Sequence, residues 1–115
     1  MNPEALAFVQ GIYFFLTGVW PILHMRSFLA VTGPKTDLWL VKTVGALITV
    51  IGGVLVVAAV EADITLAVFL LAVGSSVALT AVDVIYVSNR TISRIYLLDA
   101  AVELVLIALW LSLYR

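Results

Sequence analysis

The sequence predicts an all-α membrane protein, an antiparallel bundle of four transmembrane helices in a single domain. Three observations lead there. Of 115 residues, 64% are hydrophobic and 11% charged, against roughly 45–50% and about 25% in soluble domains. A chain this short has too much surface for its core to hide so many apolar side chains. The apolar residues also fall into four runs, each near the roughly 20 residues that a 30 Å hydrocarbon layer requires. Finally, the breaks between runs are short and hold most of the charge, so neighbouring helices must be antiparallel.

The first run extends from about Ala5 to Met25 and ends at a polar loop, Arg26 to Asp37, with the turn signal Gly33-Pro34. Glu4 stands where a signal peptide would be basic, and no small-x-small cleavage pattern follows, so a retained helix is expected. Pro21 lies inside this run. It lacks an N–H and crowds the carbonyl of Thr17, so a kink is expected there, with the Thr17 hydroxyl helping to satisfy the freed groups. Within the loop, Arg26 to Val31 reads as an interfacial helix with Phe28, Leu29 and Val31 at the headgroup boundary. Arg26 and Lys35 are candidates for contact with anionic lipid headgroups. Thr36 or Asp37 can cap the next helix.

The second run extends from about Leu38 to Val60 and closes on a tight hairpin, Glu61-Ala62-Asp63. The third, about Ile64 to Val87, and the fourth, about Ile95 to Tyr114, are joined by the polar segment Ser88 to Arg94. Gly45, Thr49 and Gly53 form a small-residue stripe on the second helix, beside Gly52, and Gly74-Ser75-Ser76 is a small patch on the third. Helices in lipid associate through such close faces. The stripes fit contacts either within the bundle or between copies.

Orientation follows from Lys and Arg. Arg26, Lys35, Arg90 and Arg94 lie in the first and third loops, while the opposite side holds only Arg115 against Glu4, Glu61 and Asp63. Positive residues stay in the cytoplasm. Both termini should therefore face outward and the loops 26–37 and 88–94 inward. Trp39, Tyr86 and Tyr96 are expected in the inner aromatic girdle, Trp110 and Tyr114 in the outer one.

Charges inside a membrane cost about 2.5–3.5 kcal/mol each at a helix centre and commonly mark function. Here they gather in the cytoplasmic half. Lys42, Asp83 and Asp99 each lie about one turn from the inner interface, and Glu103 one turn deeper, with His24 closing the first helix nearby. Asp99 and Glu103 are four apart and share a face with Tyr96. Lys42, Asp83, Asp99, Glu103, His24 and Tyr96 are thus the candidate ligand- or proton-binding set. Carboxylates in one low-dielectric site rarely all keep their charge, so Glu103, the deepest, is expected to hold a proton unless Lys42 reaches it. The outer half offers only Gln10.

The chain has no cysteine, and one histidine among carboxylates makes a weak metal set, so neither metal nor cofactor is expected. A net charge of −1 without a basic patch speaks against nucleic acid. The expected partners are the bilayer itself and either a second copy or another membrane protein.

The stretch His24-Met25-Arg26-Ser27-Phe28-Leu29-Ala30-Val31-Thr32-Gly33-Pro34-Lys35, followed by Trp39-Leu40-Val41-Lys42-Thr43-Val44-Gly45, resembles a group of small bacterial integral membrane proteins of unassigned activity. The four-helix plan is similar to DoxX-like proteins in topology. The resemblance implies an inner-membrane location. It implies no activity.

Three functions compete at this level. The first is binding or transport of a small polar or cationic solute, or of protons, through the polar cluster. The second is an accessory subunit whose charges pair internally or with a partner. The third is a small enzyme acting on a lipid-like substrate, which lacks any nucleophile motif or cofactor loop.

Overall fold

Asn2 starts the first helix. Its side-chain oxygen accepts from Ala5 N at 2.8 Å, and Pro3 occupies the first turn, where its missing N–H costs nothing. The computed structural model describes residues 1–114. Within it α1 covers Pro3–Leu23, α2 Met25–Thr32, α3 Leu38–Val60, α4 Leu66–Ser88 and α5 Tyr96–Leu113. The fold is all-α, and α1, α3, α4 and α5 are each long and apolar enough to cross a membrane. Arg115, counted above on the outer side, falls outside the described residues.

The chain turns sharply at His24, whose N–H still bonds Trp20 O at 2.9 Å. The short helix foreseen between Arg26 and Val31 is α2. Its N-terminus is capped by His24 itself, which accepts from Ser27 N through Nδ1 at 3.2 Å. It stops at Gly33, whose φ of 99° is open only to glycine. The hairpin after α3 closes through Ala62, at φ 53°, with Asp63 N bonded to Ala58 O at 3.0 Å. Thr65 then caps α4, accepting from Val68 N at 3.2 Å.

The bundle is built from two tight antiparallel pairs, α1 with α3 and α4 with α5. Glycine governs the first pair. A Cβ at Gly18 would stand 2.5 Å from Gly45 O, and one at Gly52 would stand 2.6 Å from Gly11 O. No side chain fits at these crossings, so the two backbones pack directly. Of the expected stripe, Gly45 and Thr49 do lie at this contact, and Gly52 joins them. A Cβ at Gly53 would meet nothing within 4 Å, and Gly74 is equally open, so neither position requires a glycine for packing within the chain.

Pro21 is buried against the same crossing, with its Cγ 3.2 Å from the Cβ position of Gly45. The Thr17 hydroxyl does not serve the groups that the proline frees. It donates one turn back, to Tyr13 O at 2.8 Å.

One end of the bundle is sealed by Leu6, Ala7, Leu55, Ala72, Leu106 and Trp110. The outer faces are the reverse of a soluble protein: Leu47, Val50, Leu70 and Leu111 are each about 60% exposed. Water disfavours so continuous an apolar belt, and lipid accepts it. The chain is a small multi-pass integral membrane protein.

Candidate functional site

Between the two helix pairs, at the end opposite the seal, lies a cavity of about 460 Å³. Every helix contributes a wall: the C-terminal halves of α1 and α4, the N-terminal halves of α3 and α5, and α2 across the mouth. Most of the lining is apolar, including Trp20, Phe28, Ile48, Leu79 and Ile95. Its acidic side chains are Asp83, Asp99 and Glu103.

Glu103 is fully buried. Its Oε1 accepts from Ser76 Oγ at 2.9 Å. Ser76 Oγ in turn accepts from Gln10 Nε2 at 3.1 Å, which also donates to Ala72 O at 3.0 Å. Gln10 Oε1 accepts from Trp110 Nε1 at 2.6 Å. The donors therefore run in one direction, Trp110 to Gln10 to Ser76 to Glu103, from the sealed end towards the cavity. This chain ties α1, α4 and α5 together where the two helix pairs otherwise meet sparingly.

Asp83 of α4 is 3% exposed and lines the same cavity as Asp99 of α5. Tyr13 donates its hydroxyl to Asp99 Oδ1. Two acceptors have no hydrogen-bond partner, Asp83 Oδ2 and Glu103 Oε2. Such atoms are costly in a low-dielectric interior and call for an explanation.

Lys35 bridges the mouth. Its ammonium donates to Thr32 Oγ1 at 2.8 Å and to Gly33 O at 3.1 Å. The same nitrogen lies 5.2 Å from the Phe28 ring centre and 5.1 Å from that of Tyr96, at cation–π distance. Below it, Trp20 meets Phe28 edge-on at 5.3 Å and donates Nε1 to Ser27 Oγ at 2.8 Å.

Asp83, Asp99, Glu103 and Tyr96 of the candidate set thus share one cavity. Two members do not join them. Lys42 is exposed and is not among the α3 residues that line the cavity, which are Leu40, Val41, Val44, Gly45 and Ile48. It does not reach Glu103. His24 is exposed and serves as the cap of α2.

Of the two lipid-headgroup candidates, Arg26 is exposed. Lys35 is turned inward by its carbonyl partners and the two rings. Phe28, expected at the headgroup boundary, is a cavity wall, and Trp110, expected in the outer girdle, is wholly buried. Trp39 does lie on the outer surface, 68% exposed, as a girdle residue should.

Tyr13 was missed by sequence reasoning. Its signal was the spacing to Gln10, three residues earlier, which puts both on one face of α1. Among the described residues, no group of three His, Cys, Asp or Glu side chains is arranged to hold a metal ion. Compared with protein families, with curated proteins and with solved structures, the chain matches none.

Proposed function

We propose that this membrane protein binds a small cationic solute, exchanging it for protons at Asp83, Asp99 and Glu103, and carries it across the bilayer. One observation carries the reading: an apolar cavity holds three carboxyls, and its one lysine is engaged by hydroxyl and carbonyl oxygens instead of by any of them. Buried carboxyls in an intramembrane cavity are the usual equipment of cation and proton pathways. Cavities of this size commonly enclose small ligands. A single chain supplies all the walls.

On this reading the cavity opens towards the cytoplasm. That follows from Arg26, Lys35, Arg90 and Arg94 lying at the cavity end. The membrane is a bacterial inner membrane, as the resemblance of the His24–Gly45 stretch suggests. Transport further requires the apolar seal around Leu6, Leu55 and Trp110 to part. The Trp110-to-Glu103 hydrogen-bond chain is suited to report the state of the cavity to that seal.

The test uses protein in liposomes loaded with a pH-sensitive dye and given an inward gradient of guanidinium, a permanently charged cation. Wild-type protein should alkalinise the lumen as guanidinium enters and protons leave. Glu103→Gln should abolish the signal while keeping its helical circular dichroism. Undiminished proton movement in a folded E103Q variant would contradict the reading.

A further inference from the structure

The two unpartnered acceptors narrow the solute class beyond "cation". Asp83 Oδ2 and Glu103 Oε2 belong to side chains that are 3% and 0% exposed, and both residues line the same cavity. They come from facing helices, α4 and α5. Each needs a hydrogen-bond donor, and no neighbouring side chain supplies one. Of the donors nearby, Ser76 is committed to Glu103 Oε1, Tyr13 to Asp99, and Lys35 to Thr32 and Gly33, and the Tyr96 hydroxyl bonds neither oxygen. The remaining wall is apolar and aromatic.

We infer that the cavity is built for an amphiphilic ammonium bearing several N–H donors, with the ammonium set between Asp83 and Glu103 and an apolar tail lying against Leu79, Ile48 and Trp20. This rests on the cation-binding reading above and specifies its substrate. A primary ammonium offers three donors, enough for both orphan oxygens. A quaternary ammonium carries the same charge but no donor, and would leave both acceptors unpaired in a site that excludes water. Sites that hydrogen-bond their ligand discriminate strongly against analogues lacking the donor.

The exchange balances. Before binding, three carboxyls gathered in one low-dielectric cavity do not all keep their charge, so the empty site holds a proton on one of them. As the ammonium enters, that carboxylic O–H gives its proton to water, and the freed carboxylate accepts an N–H. One cation enters as one proton leaves, and the charge of the cavity does not change. The titratable groups facing the site are Tyr13 from α1, Lys35 after α2, Asp83 from α4, and Tyr96, Asp99 and Glu103 from α5. The cavity wall from α3 carries none.

The experiment is calorimetric titration of the purified protein in detergent at neutral pH, in two buffers of different protonation enthalpy. The probes are octylammonium and octyltrimethylammonium, matched in tail and charge. Octylammonium should bind at least about tenfold tighter, the worth of a hydrogen bond to a charged group, with about one proton released per cation, the stoichiometry that neutralising one buried carboxyl requires.

Asp83→Asn and Glu103→Gln should each weaken octylammonium by a similar factor. Leu79→Phe, an apolar change that fills the cavity, should weaken both probes, and the D83N/E103Q pair supplies the blank for partition into micelles. Equal affinity for the two probes would overturn the donor-matched site and leave cation binding standing. Octylammonium binding that is unchanged in folded D83N and E103Q variants would also overturn it. Failure of the wild type to bind either probe would overturn both readings.

Discussion

Trp110 Nε1 donates to Gln10 Oε1 at 2.6 Å, joining two fully buried side chains that are 100 residues apart in sequence. Each of these residues is expensive to bury alone, and each satisfies the other. Through Gln10 the contact continues to Ser76 and Glu103, so the first helix is fastened to the fourth and fifth by polar groups in an apolar medium.

Gln10→Leu should therefore destabilise the bundle by about 1–2 kcal/mol, since it strands the indole N–H. Trp110→Phe should cost a comparable amount and leaves the amide short of a donor. The double variant isolates the bond. A coupling of about 0.6–1.7 kcal/mol is expected, measured as reversible unfolding in mixed micelles of increasing denaturing detergent. Strict additivity would mean that the contact contributes nothing.

The glycine crossing makes a sharper demand. Gly18→Val places atoms where Gly45 O and Thr49 already stand, at 2.5 Å from the new Cβ, and neither backbone can yield. Loss of about 3 kcal/mol or more is expected, enough to prevent folding of a marginal bundle. Gly53→Ala and Gly74→Ala meet open space and should stay within about 0.5 kcal/mol of the parent. Yield and thermal midpoint in detergent distinguish the two classes.

Ala62 holds a left-handed backbone, φ 53°, in the α3–α4 hairpin, and Arg90 does so at φ 62° after α4. L-residues lose about 1 kcal/mol in that region, and glycine does not. Ala62→Gly and Arg90→Gly should each raise stability by about 0.5–1 kcal/mol, less the entropy that glycine adds to the unfolded chain. A fall in the thermal midpoint of A62G would show that the turn adopts another conformation.

The distribution of positive residues makes a separate prediction about sidedness. A fluorescent protein that matures only in the cytoplasm should stay dark when fused after Arg115 and become bright when inserted at the loop carrying Arg90. A bright C-terminal fusion would reverse the orientation and turn the cavity outward.

Much of the architecture was legible because lipid imposes a simple rule. Runs ending near Met25, Val60, Val87 and Tyr114 had to be helices, and α1, α3, α4 and α5 begin and end within about two residues of those limits. The carboxyls were legible for the same reason: Asp83, Asp99 and Glu103 stand out in an apolar run, and antiparallel order places them at one end. What spacing could not supply was which face of α3 turns inward. Lys42 seemed as good a candidate as Asp83, yet the wall that α3 supplies is Leu40, Val41, Val44, Gly45 and Ile48. Nor could it show that Lys35, in a polar loop, would fold back over Phe28 and Tyr96, or that Trp110 would find Gln10. Those contacts depend on which helices pair, and four apolar runs carry little information about that.

The central claim is that Asp83, Asp99 and Glu103 form one site in which a cation replaces a proton. Infrared difference spectroscopy of the carboxyl C=O band, recorded as octylammonium is added at neutral pH, tests it most directly. The account predicts loss of the band of protonated carboxyls on binding, altered in position by Asp99→Asn and missing from the D83N/E103Q protein. A carboxyl region that stays unchanged while octylammonium saturates the wild type would contradict it.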